Sequence, residues 1–418
     1  VIWRVAILIL LVLAPLVTAG CGASGDEERD GIITLRLWVF SVDVEQDLRP
    51  VLAEFEAQNP GIRVHAEQLP WDRGFERILL SLATRRPPDV CELGMTWLAP
   101  FAHEEVLTDL TETLADTTGQ RTLMEASTYN DRVYAAPWMV GTRLFFYNRA
   151  MLREAGYPDA APPRTWGEMM EMSAAIKRAF PDRHAIGLPA GDAEFTWMTF
   201  FSFLASGRVP LLDRETLQPL IDSPEFLQTL EFYRGLKPFA LIDRGPQLDR
   251  AFGTERIAFH VSGAWNFTLL PRDYPTLDYG YSHIPMPDFV DEELGGGAMA
   301  GGQLLVVFRQ GNQQEAAKKL LEFLASRPIS TRLTLPIRSL LPAYQGAHEF
   351  PEFNGDPARV FHARMIERAF SPDAVPYWEE MRRDLVTLID TALLTDAPLE
   401  KQLEQTADHW TALREEFR

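Results

Sequence analysis

The stretch "YAAPWMVGTRLFFYN", Tyr134–Asn148, is almost wholly apolar, yet it contains Pro137, Gly141 and a single cation, Arg143. A buried strand avoids Pro and Gly in its interior, because Pro removes a ladder donor and Gly leaves nothing to pack. A loop does not end in Leu-Phe-Phe-Tyr. The stretch therefore reads as two strands, "DRVYAAPW" and "GTRLFFYN", with a crossing between them. Pro137 closes the first, Trp138 lines a crevice, Gly141 supplies the bend, and "LFFYN" opens a second buried sheet.

Toward the amino terminus, "ITLRLWVF" alternates as a strand does, and Val44, Leu48, Val51, Leu52 and Phe55 then follow at helical spacing. "IRVHAEQL" alternates again, Phe75, Ile78, Leu79 and Leu82 mark a second helix, and "RPPDVCEL" turns into a third strand. Strand, helix, strand, helix, strand is the signature of an α/β sheet with crossover helices. Toward the carboxyl terminus the alternation continues. "TWGEMMEMSAAIKRAF" begins with the capping box Thr165–Glu168. "HAIGLP" and "TERIAFHVSGAW" read as strands, "GGGAMAGGQLLVVF" as glycines running into a strand, and the tail after Tyr377 as helical.

At 418 residues the chain is long enough for one to three domains and a sizeable core. Its net charge of -19 argues against nucleic-acid or anionic-membrane binding, which need a basic face. The eight histidines form no paired metal-ligand motif. There is no Gly-x-Ser-x-Gly elbow and no phosphate-cradling Gly-x-x-x-x-Gly-Lys loop. No cofactor and no catalytic residue is expected.

Residues 1–20 carry one early cation, Arg4, an apolar stretch from Val5 to Val17, and small residues before Cys21. That is the plan of an export signal. The ending resembles the lipobox of bacterial lipoproteins, with Thr18 where Leu is commonest, and implies acylation of Cys21. Residues 21–30 then read as a polar tether. With Cys21 lipidated, the second cysteine, Cys91, has no disulfide partner and reads as a buried structural thiol.

Trp38, Trp71, Trp97, Trp138 and Trp265 sit at the ends of expected strands or in the turns after them. In open α/β sheets the crevice at strand carboxyl ends is where ligands bind. Flat rings suit the C–H faces of sugars, while Asp, Asn, Arg and Glu suit their hydroxyls.

In order along the chain, "AGCG", "FEAQNPGIRV", "PPDVCELGMTWLAPFAHEEVLTDLT", "YAAPWMVGTRLFFYNRAMLREAGYPDAAPPRTWGEM", "FGTERIAFHVSGAW", "AAKKLLEFLAS" and "LLPAYQGA" resemble the extracellular solute-binding proteins of bacterial ABC transporters. The likeness is to the sugar-binding branch that includes maltose- and trehalose-binding proteins. It implies a two-lobe periplasmic-binding-protein fold, type II-like, each lobe a mixed α/β sheet flanked by helices. The lobes implied are residues 31–139 with 283–326, and 140–282 with 327–418. Crossings fall near Trp138–Thr142, Tyr281–His283 and Ala325–Arg327. It implies no catalysis, a carbohydrate ligand clasped in the cleft, delivery to ABC permease subunits, a monomer, and an extracytoplasmic place reached through a lipid anchor alone.

Carried over residue by residue, the resemblance implies ligand contacts from Ser41 and Asp43 in the turn after the first strand, either of which also suits a helix cap. It adds Trp71 and Trp97, Trp138, Gly141 and Arg143 at the crossing, and Asp192, Glu194 and Trp197 in "GDAEFTW". It further implies Trp265 as a stacking platform, Gly301 and Gly302 as close backbone approaches, and Arg338 before "LLPA". Gly94 and Gly141 stand where many sugar binders carry carboxylates, whereas Arg143 and Arg338 are cationic. That leaves room for an anionic sugar derivative or a glycerophosphodiester held bidentately, with an interlobe salt bridge as the plain alternative for Arg143. A sensor lipoprotein and a carbohydrate-active enzyme are the rival function classes.

Overall fold

The computed structural model describes residues 32–115, 121–288, 290 and 297–417. The export signal, Cys21 and the tether lie outside them. Thirteen strands occur among the described residues: β1 Ile33–Val39, β2 Ile62–Gln68, β3 Val90–Gly94, β4 Thr128–Tyr129, β5 Arg132–Val133, β6 Ala135–Asn148, β7 His184–Pro189, β8 Ala240–Asp243, β9 Ile257–Gly263, β10 Tyr279–Ser282, β11 Ala298–Val307, β12 Leu341–Pro342 and β13 Ala369–Phe370. All but β4 and β5 belong to one hydrogen-bonded path, β2-β1-β3-β11-β6-β9-β7-β8, with β10 and β12 on β6 and β13 on β11.

The opening stretch is a single strand of fourteen residues, all buried, rather than two strands with a bend. It changes partners instead of bending. Ala135 to Thr142 pair with β11, and Arg143 to Tyr147 pair with β9. Pro137 is tolerated because the register with β11 slips between Gln303 and Leu304, so that Leu304 meets Pro137 and Gln303 meets Met139. Trp138 is the extra residue of that bulge. The pairing of β6 with β12 ends at Val140, and that with β9 begins at Arg143. Between them the Thr142 N–H donates to His362 Nε2 at 3.2 Å and the Thr142 hydroxyl donates to the Met299 carbonyl at 2.5 Å. Burial, with Arg359 nearby, holds the His362 imidazole down to about 3. It is therefore neutral and able to accept.

Side chains alternate across the sheet on both sides of this handover. In the first half, Leu35, Leu37 and Val39 pack on Leu48, Phe55, Leu320 and Leu324. On the opposite face Cys91, Leu93, Leu304 and Val306 pack on Phe101 and Ile366. In the second half, Phe145, Phe259 and Val261 meet helices Ala193–Ser206 and Trp378–Leu394 through Trp197, Phe200, Trp378 and Leu385. Leu144 and Phe146 face Phe252 and Phe267 instead. Helix Arg327–Thr334, just past the expected third crossing, contributes Ile329 and Leu333 to the first-half core.

Trp138 does not line a crevice. It is fully buried in the first-half core, and its Nε1 donates to the Leu324 carbonyl at 3.1 Å. The alternation of a continuous strand turns it inward. Trp138→Phe should lower the urea-derived unfolding free energy by about 1–2 kcal/mol, from one buried hydrogen bond and an unfilled edge. A loss below a few tenths would place the indole elsewhere.

Candidate functional site

The registers fix where the strand ends point. β1, β2 and β3 are parallel, β11 runs against β3, and β6 runs against β11. β6 therefore travels with the first-half strands, toward the handover. β9 runs against β6, and β7 and β8 run with β9. Their carboxyl ends point back at the same place. Gly94 lies level with Gln303, which meets Met139, and Gly263 lies level with Arg143. The carboxyl ends of the parallel strands of both halves converge on residues 140–143. That crevice is the ligand position general to open α/β sheets.

On the first-half side, Phe40, Trp71, Trp97 and Phe75 form a continuous aromatic wall, in which Phe40 and Trp97 are buried and Trp71 and Phe75 are half-buried. Ring centroids are 4.7 Å apart for Phe40–Trp71, 5.3 Å for Trp71–Trp97 and 5.6 Å for Phe75–Trp97. Gly94 supports it, since a Cβ there would lie 3.4 Å from Trp71 Cζ3. Aromatic rings thus fill the space beside Gly94, where the resemblance led a carboxylate to be expected. The turn that brings Phe40 to the wall is tied to Glu92, a fully buried carboxylate on β3. Glu92 accepts from the Phe40 and Ser41 N–H groups at 2.6 and 3.1 Å and from the Ser41 hydroxyl at 2.6 Å. Burial raises Glu92 to about 7 against the lowering effect of these donors.

On the second-half side, the Trp265 ring lies against Gly263, where a Cβ would meet Cζ3 at 1.8 Å. Its Nε1 donates to Asp249 Oδ2 at 3.0 Å. The other oxygen of Asp249 meets His260 Nε2 at 2.7 Å and accepts from Ser262 Oγ at 2.8 Å and Asn266 Nδ2 at 3.0 Å. Burial acts to raise this carboxyl, but those hydrogen bonds and the His260 charge hold it down to about 2. Arg143 completes the platform, with Cζ 4.6 Å from the Trp265 ring and 5.0 Å from the Phe195 ring.

Of the other expected residues, Asp43 caps the helical turn Val44–Leu48 by accepting from the Gln46 N–H at 2.7 Å. Asp192 caps helix Ala193–Ser206 and also accepts from the Gly245 N–H at 3.2 Å. Glu194 accepts from Trp197 Nε1 at 3.2 Å and pairs with Arg382 at 3.3 Å. Trp197 is in the second-half core, edge-on to Trp378. The resemblance of "GDAEFTW" placed it beside ligand, but helical periodicity turns it inward. Arg338 is ion-paired with Asp356. Gly141 pairs with Gly301, and Gly302 packs on Leu123, which a Cβ would meet at 2.1 Å.

Phe40, Glu92, Phe195 and Asp249, which build or hold these surfaces, were missed. Two left a trace: Glu92 is an acid inside the apolar run "DVCEL", and Asp249 falls on the helical stripe of Leu248 and Phe252. Among the described residues no helix is long and apolar enough to cross a membrane.

Residues 42–329 match the family described as bacterial extracellular solute-binding protein. The diacetylchitobiose binding protein of Streptomyces coelicolor is 25% identical over 74% of this chain and 74% of its own. The arabinooligosaccharide-binding protein of Bacillus subtilis is 23% identical, over 76% and 75%. The structure of the sugar-binding protein MalE from Xanthomonas citri superposes with a TM-score of 0.78 at 27% identity, covering 92% of this chain and 98% of that one. The fold is the two-lobe fold of periplasmic binding proteins.

Two measurements check this geometry. Gly263→Ala should cost about 1–3 kcal/mol by overpacking against the indole. In a Trp265→Ala background the penalty should shrink to a few tenths, whereas equal penalties in both backgrounds would remove the indole from that position. Glu92 carries a folded value above its ordinary 4.5, so its stabilisation is complete below that pH and fades as pH rises through about 7. Unfolding free energy should fall over that window by on the order of 3 kcal/mol for this group. Asp373, raised by burial to about 6, acts in the same direction. Glu92→Gln should flatten the slope by about one proton; an unchanged slope contradicts the assignment.

Proposed function

The chain belongs to the family of bacterial extracellular solute-binding proteins, and we propose that it captures a carbohydrate between its two lobes for an ABC importer. The observation that carries this reading is the pair of aromatic surfaces at converging strand ends, Phe40–Trp71–Trp97 on one half and Trp265 on the other. Rings of this kind stack on the C–H faces of sugars. The diacetylchitobiose- and arabinooligosaccharide-binding relatives are both named for oligosaccharides, which supports the same class.

In this reading residues 31–139 with 283–326, and 140–282 with 327–418 apart from helix Arg327–Thr334, which packs in the first-half core, close about β6. Ligand favours the closed state by touching both walls, as differential binding requires. Cys21 carries a lipid that keeps the protein on the outer side of the membrane, and the closed form meets the permease. No chemical step is assigned, because the named relatives are binding proteins.

The test is a thermal-shift panel of neutral oligosaccharides, their uronate counterparts and glycerophosphodiesters, followed by chromatography of the sugar. A ligand at a hundred times its dissociation constant adds about 2.7 kcal/mol of stability and is recovered intact. No shift from any carbohydrate would sink the reading, and turnover would make the protein an enzyme.

A further inference from the structure

Arg143 is the one charged residue of Tyr134–Asn148, and it is only 7% exposed. Its Nη2 lies 2.8 Å from the Met198 thioether, and its Nη1 has no hydrogen-bond partner. A thioether is a weak acceptor. A buried N–H left unmet destabilises the folded state, the more so when the donor is charged.

The charge, in contrast to the hydrogen bonds, is balanced. Burial lowers the guanidinium to about 10, and Asp249, Glu194 and Asp192 pull in the opposite direction. None of the three forms an ion pair with Arg143, because their oxygens are engaged elsewhere. Asp249 holds His260, Ser262, Trp265 and Asn266. Asp192 holds the Phe195 and Gly245 N–H groups. Glu194 holds Trp197 and Arg382, and Arg382 is itself paired with Glu379. Two guanidiniums thus share the region with four carboxylates. A partner that completes Arg143 must bring acceptor oxygens without bringing negative charge. Arg338, the other cation expected at the cleft, is already paired with Asp356.

We propose that Arg143 is the specificity-determining residue of the cleft: its guanidinium donates to oxygens of a neutral sugar unit lying against Trp265, and the half-buried Met198 thioether is the acceptor that this unit displaces. The rings of Trp265 and Phe195 hold the guanidinium plane, so the donors meet the sugar edge in a fixed orientation. Met198 suits displacement because its side chain is unbranched and adaptable. This deepens the carbohydrate reading and rests on it.

Calorimetric titration of the purified protein with matched neutral and uronate oligosaccharides is the test. The neutral member should bind at least about tenfold more tightly than its uronate, the scale of one charged contact. Arg143→Met should weaken the neutral ligand about 30-fold, and Arg143→Lys, which keeps charge but loses the planar fork, by an intermediate factor. Met198→Ala should tighten binding several-fold by removing the competing acceptor. The inference is overturned if the uronate binds more tightly, if Arg143→Met binds as the wild type does, or if Met198→Ala weakens binding. The neutral–uronate comparison needs no variant, so it stands if Arg143→Met fails to fold. Absence of binding by every sugar overturns the carbohydrate reading and this inference together. Binding that ignores Arg143 overturns this one alone.

Discussion

One peptide step, Thr142 to Arg143, determines where everything else points. Up to Thr142 the long strand is a member of the first sheet, and from Arg143 it is a member of the second. Because β6 runs with the strands of one half and against those of the other, both sets of carboxyl ends face the same step. The loops that follow them carry Phe40, Trp71, Trp97 and Trp265, and they have no other region to meet in. The partner change also leaves the Thr142 N–H without a sheet acceptor, and a buried N–H must be satisfied. His362 supplies the acceptor from helix Pro357–Glu367, whose Ile366 packs in the first half and whose Met365 packs in the second. The handover is therefore braced by a residue anchored to both sides.

Each half then uses one buried carboxylate to fix its wall, and the two are tuned in opposite directions. Asp249 sits among four side-chain partners, and their combined effect outweighs desolvation, so it stays ionised. Glu92 has three donors from a single turn, and desolvation outweighs them. A carboxylate surrounded by strong donors is stabilising at neutral pH, whereas one desolvated without enough of them costs stability there. The first-half wall is thus held by a group that gives up part of its stability near neutral pH. The second-half platform is held by one that does not titrate until strong acid.

The layered α/β organisation was legible because periodicity reports which face of an element is buried, and "HAIGLP", "TERIAFHVSGAW" and the first three strands fall where alternation puts them. The handover was legible only as an anomaly. Pro137 and Gly141 looked like a break because single-chain propensity does not show that β6 itself bulges at Trp138, beside Pro137. That bulge also carried Trp138 into the core, against the expectation set by its place beside the crossing. Trp197 was misplaced for a similar reason, since proximity in sequence to Asp192 says nothing about which side of a helix a ring takes. Asp249 was obscure because its four partners come from His260 through Asn266, brought together only by the turn over β9. Trp265 follows "TERIAFHVSGA", which reads as a strand entering a glycine turn, and its ring lies against that glycine, Gly263.

The same geometry limits what motion the protein can make without losing its walls. Trp265 is fixed to Gly263 and Asp249, both in the second half, and Arg143 follows β9 through its pairing with Gly263. The aromatic wall of Phe40, Trp71 and Trp97 is fixed to Glu92 and Gly94 in the first half. A rotation absorbed at Gly141 and Thr142, where β12 has ended, β9 has not begun and β11 alone still pairs, would move each wall as a unit. A rotation absorbed beyond Arg143 would instead separate the guanidinium from the indole it stacks on. Hinge positions are those few residues that can change dihedral angles without breaking packed contacts. In the proposed closure, Gly141, where a Cβ would meet the Ser339 carbonyl at 3.0 Å, is then better understood as part of the joint than as a lost ligand contact.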